Sequence, residues 1–449
     1  MSVKKHRRLI IPTAALAALG LVLTGCTGDT AGEDKADTEC ADYDAYGTFD
    51  AGTEVDIYGT ILEVEADRLQ DSWKDFETCT GLDVVYEGSA EFEEQINVRV
   101  QGGNPPDLGI TPQPGLVADL ARAGSVLPAP EGVADNVKEF WSEDWAGYGT
   151  VDGELVGAPL MASVKGYVWY SPSTFEDKGW EVPTTLDELS ALTDDIAGSE
   201  KDMKPWCVGF ASGVATGWPG TDWVEDMVLR LSGPDVYDQW VTHEIPFNDP
   251  AIAEAFDEVG GFIKDEANVN GGLGAINSIA TTEFGDAGLP VLEGTCAMHH
   301  QATFYEGFWP DGTVVAPDGD VWAFILPGTE KDANAVTGGG EIVIAFSDSE
   351  ETVAVQTYLS SDKWANERVS LGGVISANKG LDPENASSEL LSTSVEILQN
   401  EDTTFRFDAS DVMPAAVGTG SFWKGMVDWI GGKTTPATLD YIEGTWPKE

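Results

Sequence analysis

Trp218 lies in the turn-prone stretch Gly217-Trp218-Pro219, just ahead of Asp222. An indole in an exposed loop beside a carboxylate can cover an apolar ring face and accept hydrogen bonds from hydroxyls at its rim. Asp222 has a competing role. Asp222-Trp223-Val224-Glu225 carries the spacing of a capping box, so Asp222 could simply cap a helix. Glu341 follows Gly338-Gly339-Gly340 and opens a strand; such glycines, Gly340 included, let a ligand come close to the backbone. A phosphate-cradling loop would end in Gly-Lys-Ser or Gly-Lys-Thr, and this run does not. Arg406, one of few cations, can fork onto hydroxyls or pair with Asp408 or Asp411.

Covalent and metal chemistry find little support. His299 and His300 are adjacent rather than one helical turn apart, and there are only four histidines. No cysteine pair has Cys-x-x-Cys spacing, so no zinc site is expected. Asp318-Gly319-Asp320 lacks the spacing of a calcium loop. No nucleophile elbow or Ser/His/Asp motif appears. With 78 acidic residues, a glycoside-hydrolase carboxylate pair stays open as an alternative, as does a cell-surface binding module. No cofactor is expected.

The elements that must position these residues alternate. Val55–Tyr58 reads as a strand, residues 65–78 as one helix with Leu69, Trp73 and Phe76 at helical spacing, and Gly81 as its stop. Strands follow at residues 83–86 and 106–110, with a helix over 92–101 between them. The middle repeats the pattern: strands near 166–170 and 206–210, a capping box at Thr185-Leu186-Asp187-Glu188, and a helix started by Asp249-Pro250. A strand over 341–346 and helices over 349–360 and 362–371 complete it. Alternation of this kind implies βαβ units and a mostly parallel sheet. At 449 residues the chain fits two lobes.

The N-terminus adds a chemical handle. Lys4, Lys5, Arg7 and Arg8 precede an apolar run of fifteen residues, Leu9 to Leu23. That is the anatomy of a secretion signal, too short to span a bilayer comfortably. The ending Leu23-Thr24-Gly25-Cys26 resembles a bacterial lipobox, which implies cleavage before Cys26 and lipid on its sulfur. Residues 1–25 are then the signal peptide and 26–53, rich in Thr, Gly, Asp and Glu, a flexible tether. Four cysteines remain, an even number in an oxidising compartment. Three pairings exist, and nearest-neighbour logic favours Cys40–Cys79 and Cys207–Cys296. The formal charge of −54 repels nucleic acid and anionic headgroups and suits a soluble exported body.

Several stretches together resemble the extracellular solute-binding lipoproteins of ABC sugar importers, in their α-glucoside-binding branch. They are Tyr86-Glu87-Gly88-Ser89 with Gln95-Ile96-Asn97-Val98-Arg99-Val100 and Gly103-Asn104-Pro105-Pro106-Asp107; Trp206-Cys207-Val208-Gly209 through Gly217-Trp218-Pro219-Gly220-Thr221-Asp222-Trp223; Cys296-Ala297-Met298-His299-His300-Gln301-Ala302-Thr303-Phe304; Gly338-Gly339-Gly340-Glu341; and Arg406-Phe407-Asp408 through Met413-Pro414 to Ser421-Phe422-Trp423. The resemblance covers about residues 54–447. It implies a two-lobed α/β periplasmic-binding-protein-like fold (type II) with the ligand cleft between discontinuous lobes, 54–161 plus 331–375 and 162–330 plus 376–449. It implies Trp423 as a stacking tryptophan, Phe304 as a second aromatic and Gln301 as an amide ligand. In the first lobe it points to Glu63, Ser89 and Gln113. Thr111-Pro112-Gln113 departs from the Trp and Asp that maltose-binding relatives carry after Pro-Asp, which puts maltodextrin as the preferred ligand in doubt. The implied protein is a monomer on the outer face of the cell membrane that captures a small sugar without chemistry and hands it to ABC permease subunits.

Overall fold

The computed structural model describes residues 40–331, 334–400 and 402–448; the signal peptide, Cys26 and the tether up to residue 39 lie outside them. In chain order the principal strands are β1 (Thr53–Gly59), β2 (Leu82–Gly88), β3 (Leu108–Thr111), β4 (Gly157–Val164), β5 (Tyr167–Tyr170), β6 (Lys204–Cys207), β7 (Cys296–Gln301), β8 (Trp322–Ile325), β9 (Ala335–Ala345) and β10 (Thr404–Phe407). One sheet runs β10-β9-β3-β1-β2, with β4 also on β9; the other runs β8-β5-β7-β6. The first is parallel in three of its five pairings, and the second in only one of three. β1 is parallel to β2 and β3, β9 to β10 and β6 to β7, but β9 is antiparallel to β3 and β4, and β5 to β7 and β8. The antiparallel pairings centre on β9 in the first sheet and on β5 in the second.

Both faces of the first sheet are buried, as a sheet covered by helices requires. Val55, Ile57 and Val343 pack with Trp73, Phe76 and Tyr358 on one side. Tyr58, Ile342 and Ile344 pack with Phe92, Ile96 and Leu116 on the other. The second sheet has its own core of Val168, Trp206, Met298, Trp223, Phe262 and Trp429. The chain leaves the first sheet at the end of β4 and enters the second at β5 through two residues, Lys165 and Gly166.

Six helices carry or flank the residues of interest: α1 (Glu63–Asp71), α2 (Pro114–Arg122), α3 (Trp218–Val241), α4 (Asp362–Ser370), α5 (Ala409–Val412) and α6 (Trp423–Ile430). The single helix expected over 65–78 is two, because Trp73 leaves helical geometry (φ −120°, ψ 9°) and a new helix starts at Lys74. The box at Thr185 forms with an offset: Thr185 Oγ accepts from Glu188 N–H, while the Glu188 carboxylate accepts from Thr184. Both disulfides pair as expected, Cys40–Cys79 and Cys207–Cys296, with Cα separations of 5.1 and 5.7 Å. The first anchors residues 40–46, so the expected tether is packed in part: Tyr43 is buried against Phe76 and Tyr358.

Candidate functional site

The site begins with a glycine. Gly217 has φ +120°, and a Cβ there would lie 2.9 Å from Trp423 Cα, so the turn entering α3 rests directly on the first residue of α6. Trp218 consequently opens α3 instead of standing in a loop, and it is half-buried. Its ring meets Phe284 at 5.0 Å and Phe304 at 6.1 Å; Phe308 lies 5.1 Å from Phe284 and 6.2 Å from Phe304. These four half-buried rings form an aromatic wall on the second sheet's side. The Lys165 ammonium sits 5.4 Å from the Trp218 centroid.

Lys165 is the hub of a buried charge cluster behind that wall. Gly166 beside it has φ +74°, and a Cβ there would meet Asp226 Oδ1 at 2.8 Å, so the two-residue link presses onto α3. Lys165 Nζ pairs with Asp222 Oδ1 at 2.8 Å and with Asp408. Glu225 accepts from the Ala409 and Ser410 N–H groups, each at 3.1 Å. Burial pushes the carboxyls of Asp222, Glu225 and Asp411 well above the ordinary range. Burial also acts upward on Asp408, but Lys165 and hydrogen bonds from its neighbours outweigh it and hold Asp408 below that range. Asp222, Glu225 and Asp408 stand close enough to share a cation, yet Lys165 already pairs with two of the three. The two histidines are structural: burial holds His299 down at about 4 while its Nδ1 faces the Cys207 carbonyl, and His300 meets Asp226 at 2.8 Å.

Across from the rings, α1, α4 and β9 bring together Glu65, Arg68, Arg368 and Glu341. Burial, then Glu341, pushes the Glu65 carboxyl up to about 7 against the pull of Arg368 and Arg68. Burial also raises Glu341, with Arg368 and Lys165 pulling it back. Burial lowers the Arg368 guanidinium to about 10. Arg68 reaches toward the aromatic wall: its Nη1 is 2.6 Å from where a Cβ on Gly373 would stand and 3.6 Å from one on Gly307, between Phe304 and Phe308.

The structure thus unites Trp218, Phe304 and Glu341. Trp423 is adjacent, 5% exposed, with its indole N–H unpartnered. Gln301 is buried below, its Oε1 accepting from Ala302 N–H at 2.8 Å. Asp222 does not cap α3, whose N-cap is Gly217; it is the ion-pair partner of Lys165. Gln113 is buried between Thr111 and Glu93. Ser89 Oγ accepts from Glu91 N–H at 3.1 Å, next to Ala90, which faces Gly213 of the other half. Glu63 is exposed in a left-handed conformation at φ 53°. Two expectations are corrected. Gly340 makes room for Met161 of β4 and for Trp145, whose Cζ3 would lie 3.1 Å from an added Cβ, so protein fills the space expected to admit a ligand. Arg406 has its fork on Asp238 at 2.6 and 2.8 Å, and pairs with neither Asp408 nor Asp411. Sequence reasoning missed Glu65, Arg68, Arg368, Lys165, Phe284 and Phe308. The i, i+3 pair Glu65/Arg68 and the i, i+4 pair Phe304/Phe308 were the available signals.

Two sheets joined by short crossings, with rings on one side and charged groups on the other, define a protein built to enclose a small polar solute. The chain belongs to the family of bacterial extracellular solute-binding proteins, whose family model matches residues 63–365. It is 39% identical over 400 residues to the osmoprotective compounds-binding protein GgtB of Synechocystis sp., covering 88% of this chain and 93% of that one. It is 37% identical over 411 residues to the alpha-glucosides-binding periplasmic protein AglE of Rhizobium meliloti, covering 88% and 87%. The solved solute receptor AcbH superposes with a TM-score of 0.72 at 17% identity, over 88% of this chain and 97% of that chain, and shows the same type II fold. Among the described residues no helix is long and apolar enough to cross a membrane.

Proposed function

We propose that this protein captures a carbohydrate, an α-glucoside of disaccharide size, and delivers it to the permease subunits of an ABC importer. The observation that carries the reading is the half-buried wall of Trp218, Phe284, Phe304 and Phe308 facing Glu65, Glu341, Arg68 and Arg368. A pyranose presents a flat C–H face for the rings and a rim of hydroxyls for the charges. The names of AglE and GgtB, for α-glucosides and osmoprotective compounds, support a glucoside over a longer oligosaccharide. The lobes are 54–161 plus 331–375 and 162–330 plus 376–449, except that β10 within the last stretch pairs with β9 in the first sheet; sugar favours their closed arrangement by touching both. Lipid on Cys26 holds the protein on the outer face of the membrane; Cys26→Ala should release it or block processing, and unchanged retention would refute the anchor.

One observation favours a second reading. Glu65 and Glu341 are neighbouring carboxyls, both raised by burial, and a glycoside hydrolase needs a carboxyl pair in which the acid is raised. Membership in a solute-binding family weighs toward capture without chemistry. Calorimetry of the tag-free protein against glucose, trehalose, sucrose, maltose and palatinose, with product analysis after each run, decides. Binding at micromolar affinity, roughly −8 kcal/mol, with intact sugar recovered supports capture. Hydrolysed sugar transfers the protein to the second reading, and no binding to any sugar removes both.

A further inference from the structure

Arg368 lies in the last turn of α4 at the foot of the charged wall, and none of its side chain is exposed. Its Nη1 donates to the Gly372 carbonyl at 2.9 Å. Nε and Nη2, the two N–H groups along the other edge of the guanidinium, have no hydrogen-bond partner among the described residues. Arg406 shows what that edge does when it is met: the same two nitrogens hold both oxygens of Asp238. Buried donors of a charged group are rarely left unmet, because desolvation without a partner is costly. The edge therefore marks a place for an occupant.

Two parallel N–H groups match a carboxylate or a vicinal diol. The surroundings choose between them. Glu65, Arg68 and Glu341 are the charged groups that act on Arg368. A carboxylate brings acceptors only and offers no donor to the oxygens of Glu65 and Glu341. A hydroxyl accepts from a guanidinium and donates to a carboxylate at the same time, so a diol satisfies Arg368 and Glu65 together. We infer that the Nε/Nη2 edge of Arg368, with Glu65 beside it, is the subsite that reads a vicinal diol of an uncharged glycoside. It makes Arg368 a specificity-determining residue, selecting against uronic acids and against sugars lacking either hydroxyl. This deepens the carbohydrate reading and rests on it.

The test is calorimetry of the exported protein and of Arg368→Lys with trehalose, sucrose and maltose, then with monodeoxy derivatives of those that bind. In the parent, removing either of two adjacent hydroxyls should weaken binding at least tenfold. Arg368→Lys keeps the charge and loses the fork; it should bind the parent sugar at least tenfold more weakly and no longer distinguish those two derivatives from it. A purely structural arginine would lower thermal stability without erasing that discrimination. Unchanged affinity, or the full deoxy penalty persisting in Arg368→Lys, overturns the assignment. Should the variant not fold, a crystal structure of the parent with sugar decides: adjacent hydroxyl oxygens on Nε and Nη2 support it, and water or protein there overturns it. If the parent binds none of the three sugars, the carbohydrate reading itself fails and this subsite with it, a result distinct from loss of the arginine effect.

Discussion

Glu65→Gln should stabilise the ligand-free protein at pH 8 and leave it nearly unchanged at pH 5. The Glu65 carboxyl titrates near 7 in the folded chain against an ordinary 4.5, with burial the largest cause and Glu341 the next. A carboxyl whose folded pKa lies above its unfolded one holds its proton more tightly when folded. Between pH 4.5 and 7 the folded state therefore binds more protons than the unfolded state, and stability falls as pH rises through that window. At about 1.36 kcal/mol per pH unit the ceiling is about 3 kcal/mol. Glu65 is part-exposed and stands in the first turn of α1, where the helix terminus favours the anion, so about 1–2 kcal/mol is the expected size. Asp222, Glu225 and Asp411 are raised too and impose a slope of the same sign. For that reason the difference between variant and parent is the quantity to follow. Urea unfolding of both proteins at pH 5, 6, 7 and 8 measures it. The difference should be near zero at pH 5 and grow to about 1–2 kcal/mol in favour of glutamine at pH 8. A difference that is flat with pH, or of opposite sign, would refute the argument that Glu65 is desolvated. The same variant should bind sugar more weakly, since a strained binding group trades stability for function.

Trp218→Ala should weaken sugar binding by about 1–3 kcal/mol, the range for an aromatic anchor, with a smaller loss for Trp423→Ala, whose ring is nearly covered; calorimetry with trehalose or sucrose that ranks them the other way would move the platform to α6. Replacing Cys207 and Cys296 together by serine should cost up to about 4–5 kcal/mol, because the bridge closes a loop with a sequence separation of 89. The same change at Cys40 and Cys79, separated by 39, should cost somewhat less. Unfolding midpoints of the two double variants check both, and peptide mapping without reduction should find these pairs and no free thiols.

Much of the fold was legible because local signals were strong. The helix over Phe92–Gln101 is read correctly at both ends, since Gly102-Gly103 stops it, and β1 and β2 follow from short apolar runs. The helix break at Trp73 was not legible, because Leu69, Trp73 and Phe76 keep helical spacing across it and all three are buried. The antiparallel pairing of β9 with β3 and β4 was hidden for another reason: partners so far apart leave no periodic trace. The site divides the same way. Trp218, Phe304 and Glu341 stand in distinctive company in the sequence. Arg368 sits in an ordinary amphipathic helix, and only the fold reveals that its guanidinium is fully buried. Glycine was misleading at Gly340, where the missing side chain admits a neighbouring strand, and informative at Gly217, where it seats one helix on another.

The buried charges follow from how the chain crosses between its two sheets. Lys165 lies in the β4–β5 link, Asp222 and Glu225 on α3, Glu341 on β9, and Asp408 just after β10. Four separate segments converge there, three of them at or beside a strand of the first sheet. Hydrophobic side chains at the convergence would pack but would not fix the directions of three chain passages. An ammonium held by Asp222 and Asp408, with Glu225 accepting from two backbone N–H groups of α5, does so directionally. The same lysine lies 5.4 Å from the Trp218 centroid and acts on Glu341. The charge that organises the crossing is thereby in electrostatic contact with both walls of the site.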